Sequence, residues 1–183
     1  MIQGKRNHAM KYVEAFSLEH AAQYRDGPLG NAKPGEISLF LGGGITGCFD
    51  WQAEVVRLLS NTDLVVINPR RKHWPMDDPT ATKKQIECEF EHMQTANMIM
   101  FWFAPETLCP ITLFEYGKWL VRNKTLFVGC HPEYKRLEDV QVQTALERPF
   151  QKVFTDIEAV VGSVLLHLEY LSKPFSWKNL KSS

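Results

Sequence analysis

Three kinds of residue in this sequence can do chemistry on a small molecule: carboxylates, a glycine turn and a short basic run. Glu115 falls in the stretch Cys-Pro-Ile-Thr-Leu-Phe-Glu-Tyr-Gly, in the first turn of a predicted helix that follows a strand and Pro110. Its neighbours Leu113, Phe114, Tyr116 and Trp119 can shield a carboxylate from water and raise its pKa toward catalytic use. Helical angles point the other way: Leu113, Gly117 and Leu120 define the expected buried stripe and put Glu115 nearly opposite, where an acid complementing the helix dipole fits equally. On the preceding predicted helix, Glu89 is the acid that borders the stripe Ile86, Phe90 and Met93, whereas Glu87 and Glu91 face solvent. Two carboxylates converging on one crevice suit glycosidic chemistry, in which one attacks or stabilises the anomeric carbon and the other handles a proton.

The turn Gly42-Gly43-Gly44-Ile45-Thr46-Gly47 can bring backbone N–H groups against a ligand, because glycine adopts conformations that side chains forbid. It is no P-loop, since no Gly-Lys-Ser/Thr follows, and a tight strand-to-helix turn without a ligand accounts for it too. Asn68, Arg70, Arg71 and His73 follow the second predicted strand, where guanidinium groups can clamp a phosphate or form a solvated basic turn. Trp74, Trp102 and Phe103 can stack on a base, although the last two sit in a strand and suit a core.

These residues need elements to hold them. Ile37 to Leu41 is an apolar strand entering the glycine turn, and Asp50 to Ser60 a helix with Asp50 as N-cap. Leu64 to Ile67, Met98 to Phe103 and Thr125 to Gly129 read as further buried strands, separated by helices over Lys83 to Thr95 and Thr112 to Arg122. Leu137 to Leu146 and Asp156 to Leu171 suit helices around a short strand at Lys152 to Phe154. The alternation predicts an α/β fold, a doubly wound parallel sheet of about five strands with helices on both faces and ligands at the strands' carboxyl ends. Residues 1–33 are expected to form an extension, with a helix or strand around Tyr12 to Tyr24, residues 34–172 the α/β domain, and residues 173–183 an arm.

A chain of 183 residues, 44% hydrophobic and 23% charged, fits one domain with a substantial core. Lys plus Arg equal Asp plus Glu at 21 each, so no global field draws the chain to nucleic acid or an anionic membrane. Cys48, Cys88, Cys109 and Cys130 show neither C-x-x-C nor zinc-finger spacing, so no metal is expected and reduced thiols in a cytoplasmic protein are the simpler expectation. No apolar run approaches the roughly 20 residues of a membrane helix, and the first ten residues lack the apolar core of a signal peptide.

The order Leu-Phe-Leu-Gly-Gly-Gly-Ile-Thr-Gly, Asn-Pro-Arg-Arg, Phe-Trp-Phe and Cys-Pro-Ile-Thr-Leu-Phe-Glu-Tyr-Gly resembles the nucleoside 2-deoxyribosyltransferase-like family over roughly Ile37 to Gly129. The resemblance implies an enzyme that cleaves or exchanges the N-glycosidic bond of a nucleoside or nucleotide, without cofactor, as a homo-oligomer in which a neighbouring chain helps complete each site. It implies Glu115 as the nucleophile at C1′, and Glu89 where the transferases place a base-contacting aspartate. Gly42, Gly43, Gly44, Ile45, Cys109 and Pro110 become candidates for the substrate wall, with Asn68, Arg70 and Arg71 available to an anionic substrate such as a nucleoside 5′-monophosphate. Two positions depart from the pattern: Cys109 replaces an aspartate that holds sugar hydroxyls, and Phe40 a tyrosine set against the nucleophile, and neither can make the same hydrogen bonds. These departures keep open an inactive nucleotide-binding module on the same fold, and a flavodoxin-like redox domain is a further alternative.

Overall fold

Strands buried on both faces are the mark of a sheet covered by helices on each side, and Leu64–Asn68 and Met98–Phe103 are buried at every position. The computed structural model describes residues 10–14, 36–72 and 76–172. In chain order the elements are β1 (Lys11–Glu14), β2 (Ile37–Gly43), α1 (Trp51–Leu58), β3 (Leu64–Asn68), α2 (Ala81–Thr95), β4 (Met98–Phe103), α3 (Pro110–Leu120), β5 (Thr125–Cys130), α4 (Leu137–Glu147), β6 (Val153–Phe154) and α5 (Ile157–Ser172). The strands form one parallel sheet in the order β1-β3-β2-β4-β5-β6.

Alternate strand residues feed two cores. Leu39, Leu41, Val66, Met100 and Trp102 pack with Trp51 and Val55 of α1 and with Val160 and Val164 of α5. Phe40, Ile67, Ile99, Phe101 and Phe103 pack on the other face with Met93 of α2, Tyr116 and Trp119 of α3, and Val140 of α4. The chain leaves β2 for β3 on one side and then crosses back past β2 to β4, so strand order switches between β2 and β4. In such folds the carboxyl ends of the strands at that switch bound the ligand crevice. Asp50 caps α1 as expected, accepting from the Ala53 N–H at 3.1 Å.

The sheet has six strands where about five were expected, and the extra one corrects the placement of residues 1–33 wholly outside the α/β unit. Lys11–Glu14 pairs with β3 from Lys11↔Val65 to Glu14↔Asn68. It falls at the start of the stretch expected as a helix or strand around Tyr12 to Tyr24, and with two of its four residues exposed at a sheet edge its patterning does not choose between the two. The remainder of the expected extension, the arm at 173–183, and His73 and Trp74 lie outside the described residues. Two helix faces are also corrected. On α2, Ile86 and Phe90 are exposed while Cys88, His92 and Met93 are buried, and on α3 the buried residues are Thr112, Tyr116, Trp119 and Leu120, with Gly117 exposed. Among the described residues, no helix is long and apolar enough to cross a membrane.

Candidate active site

At the switch point lies a crevice of about 600 Å³. Phe40 and residues 42–46 line it from β2 and the following turn, Gln85, Ile86, Glu89 and Met93 from α2, and Thr107, Cys109, Pro110, Ile111 and Glu115 from the loop and helix after β4. Packing within the chain already demands two of the glycines. A Cβ on Gly43 would stand 2.5 Å from both the Trp102 carbonyl oxygen and the Trp51 ring, and one on Gly44 would meet the Cys48 and Cys109 sulfurs at 2.6 and 2.8 Å. The Trp51 indole N–H, donating to the Gly44 carbonyl at 2.9 Å, fixes the turn against α1.

The corrected face of α3 brings Glu115 to the crevice. It stands beside the buried residues Thr112, Tyr116 and Trp119 rather than opposite them, and is half-buried. The aromatic neighbours proposed as its shield do not enclose it in the expected way: Phe114 is exposed, and Tyr116 points into the core, its hydroxyl 2.5 Å from that of Thr144. The crevice wall, with Phe40, Met93 and Pro110, supplies the apolar surroundings instead. Burial pushes the Glu115 carboxyl up to about 8, with the Glu89 charge adding to the rise and Lys118 opposing it. Glu89 is raised as well, first by burial, but Gln85 donates a hydrogen bond to it and Arg71 lies near enough to favour its charge. Two half-buried acids whose carboxyls both rise, Glu115 to about 8, share one crevice, an arrangement suited to moving one proton and attacking with one carboxylate.

The basic residues do not line the crevice itself, and Arg71 reaches its edge through Gln85. Arg70 donates to the Gln52 side-chain oxygen at 3.0 Å and to the Phe49 carbonyl at 3.1 Å, and pairs with Asp50 at 3.3 Å, so it ties the turn before α1 to the end of β3. Asn68 accepts from the Arg70 N–H at 2.9 Å and donates to the Tyr12 hydroxyl at 3.1 Å. Asn68, Arg70, Arg71 and Lys72 line a separate cavity of about 540 Å³ that meets the crevice at Ile45. Trp102 and Phe103 are core residues on opposite faces of the sheet.

A family model described as nucleoside 2-deoxyribosyltransferase like matches residues 36–134, more than half of the 183-residue chain. The chain belongs to the nucleoside 2-deoxyribosyltransferase-like family. Its matched span runs from just before β2 to the loop after β5, and so contains all the described residues that line the crevice. Comparison with curated proteins gives no match.

Within this nucleoside 2-deoxyribosyltransferase-like domain, Gln85 is among the crevice residues that the sequence reading did not single out. Gln85 accepts from Arg71 and donates to the Pro69 carbonyl at 3.2 Å and to Glu89, linking the loop after β3 to the buried acid. Its signal was the four-residue spacing to Glu89, which puts the two on one helix face. The Cys109 position is likewise committed locally. Its thiol lies 3.2 Å from the Thr107 hydroxyl, and its backbone adopts φ 44° at the N-cap of α3.

Proposed function

We propose that this protein is an enzyme that cleaves or exchanges the N-glycosidic bond of a nucleoside or nucleotide, with Glu115 as nucleophile and Glu89 as the group that handles the proton. The observation that carries this is the pair of half-buried carboxylates, Glu89 and Glu115, lining one crevice in a chain of this family. The proton held by the pair passes from Glu115 through Glu89 to the departing base, and the Glu115 carboxylate so freed bonds to C1′ as the bond to the base breaks. Water or a second base then displaces the ester, giving hydrolysis or transfer. Among the described residues, the crevice is lined by two carboxylates and by no lysine or arginine. Of the nearby cations, Arg71 is the one that borders the crevice, through Gln85, so it is the group available to a nucleotide's phosphate.

The family resemblance also supports a homo-oligomer, and Ile86, Ile111 and Phe114, exposed by 62%, 66% and 75% beside the crevice, offer it an apolar surface. A second reading, a binding module without turnover, draws on Phe40 and Cys109. Phe40 is fully buried and the Cys109 thiol is occupied with Thr107, so neither supplies a carboxylate or hydroxyl to a sugar. Nucleosides and nucleotides incubated with wild type and Glu115→Ala separate the two. Base released by wild type alone supports the enzyme, and tight binding with every ligand intact supports the module.

A further inference from the structure

The thiols of Cys48 and Cys109 meet beside the crevice, one from the turn after β2 and one from the start of α3, where Cys109 lines it. Both flank Gly44, at 2.6 and 2.8 Å from the point where its Cβ would stand, so the sulfurs are less than 5.4 Å apart by the sum of those distances. The Thr107 hydroxyl bridges them, 3.7 Å from Cys48 Sγ and 3.2 Å from Cys109 Sγ. Nothing bulkier than glycine would leave them facing each other. Cys109 is also the only non-glycine residue at positive φ among those described, a sparsely populated backbone state held where its sulfur meets this neighbour.

Both cysteines are reduced. We propose that they form a reversible modification site whose substrate is a low-molecular-weight disulfide, the two thiols closing to an intramolecular disulfide beside the crevice. Cys48 is half-buried and Cys109 only 5% exposed, so Cys48 reacts first. Its sulfur, losing a proton, attacks glutathione disulfide and expels one glutathione. The Cys109 thiol then loses its proton and attacks Cys48 Sγ, expelling the second. Two protein thiols are oxidised and one disulfide is reduced to two thiols, so electrons and protons balance. Closure brings the sulfurs to about 2.05 Å, which takes Cys109 from Thr107 and narrows the crevice at Gly44. Burial, with Glu106 and Cys109 nearby, holds the Cys48 thiol above its ordinary value and slows the first exchange.

The test equilibrates the full-length native chain overnight in buffers of varied ratio of glutathione to glutathione disulfide, alkylates free thiols, and maps peptides without reduction. The expected result is loss of two of the four thiols, a mass lower by two hydrogens, and a peptide linking Cys48 to Cys109 that dithiothreitol removes. Cys48→Ser should retain all three remaining thiols in the same buffers. Four alkylatable thiols at every ratio, a glutathione adduct that never closes, or a link to Cys88 or Cys130 would each overturn the proposal. The readout is thiol state, so it stands or falls independently of any glycosidic activity.

Discussion

Replacing Glu115 with glutamine should stabilise the protein near neutral pH and do little in acid. The folded chain holds this carboxyl up to about 8 from an ordinary 4.5, so between those values it keeps a proton that the unfolded chain releases. Stability therefore falls as pH rises through that window and levels off above it. The full difference is worth about 3 kcal/mol at pH 7 and about 1 kcal/mol at pH 5. Glu115 is half-buried, and solvent screening reduces the expectation to about 1 to 2 kcal/mol at pH 7 and under about 0.5 kcal/mol at pH 5. Glutamine keeps the shape without the charge, so urea unfolding of wild type and Glu115→Gln at both pH values should give midpoints that separate only at the higher one. Equal differences at both pH values, or a less stable variant at pH 7, would show that Glu115 is not held protonated by its surroundings.

Other consequences can be checked separately. With a substrate in hand, kcat/KM should fall about tenfold per pH unit above about 8, because the pair then loses the proton the base needs; activity still rising at pH 9 would contradict the shared-proton scheme. Arg148 donates to the carbonyls of Trp119, Leu120, Arg122 and Lys124 at the end of α3, so Arg148→Ala should cost about 2 to 3 kcal/mol in denaturant unfolding, against a surface substitution's ±0.5. Gly43→Ala forces a methyl into the Trp102 carbonyl and the Trp51 ring and should cost upwards of about 2 kcal/mol, or fail to yield folded protein. Light scattering should give a multiple of 21.1 kDa, and Phe114→Glu should shift it toward the single-chain mass.

The fold was legible because its central strands are uninterrupted apolar runs and because glycine and proline mark their ends. β1 was legible only as a helix or strand around Tyr12 and not as part of the sheet, since an edge strand needs little burial and Lys11–Glu14 has little. The faces of α2 and α3 misled for a related reason. Ile86 and Phe90 are apolar yet exposed, and the buried face of α3 is centred on Thr112, Tyr116 and Trp119, with Leu120 in the core and Leu113 at its margin but Gly117 exposed. Periodicity alone thus turned Glu115 away from the crevice, and the family resemblance kept it in view. The glycine turn was seen, but its close packing on Trp51, Trp102 and two cysteines depends on residues far apart in the chain. The arginines illustrate the same limit: Arg70 after a strand end reads like an anion clamp, and only the fold reveals Gln52 and the Phe49 carbonyl as its partners.

The central claim is that Glu115 attacks a sugar carbon. Its most direct measurement is intact mass after rapid acid quench of the protein mixed with a panel of nucleosides, 2′-deoxynucleosides and their 5′-monophosphates, with free base followed by chromatography. The account predicts base release from at least one substrate, a covalent sugar adduct mapped to the peptide containing Glu115, and neither with Glu115→Ala. Release that persists in Glu115→Ala, or no release and no adduct from any substrate, would contradict it.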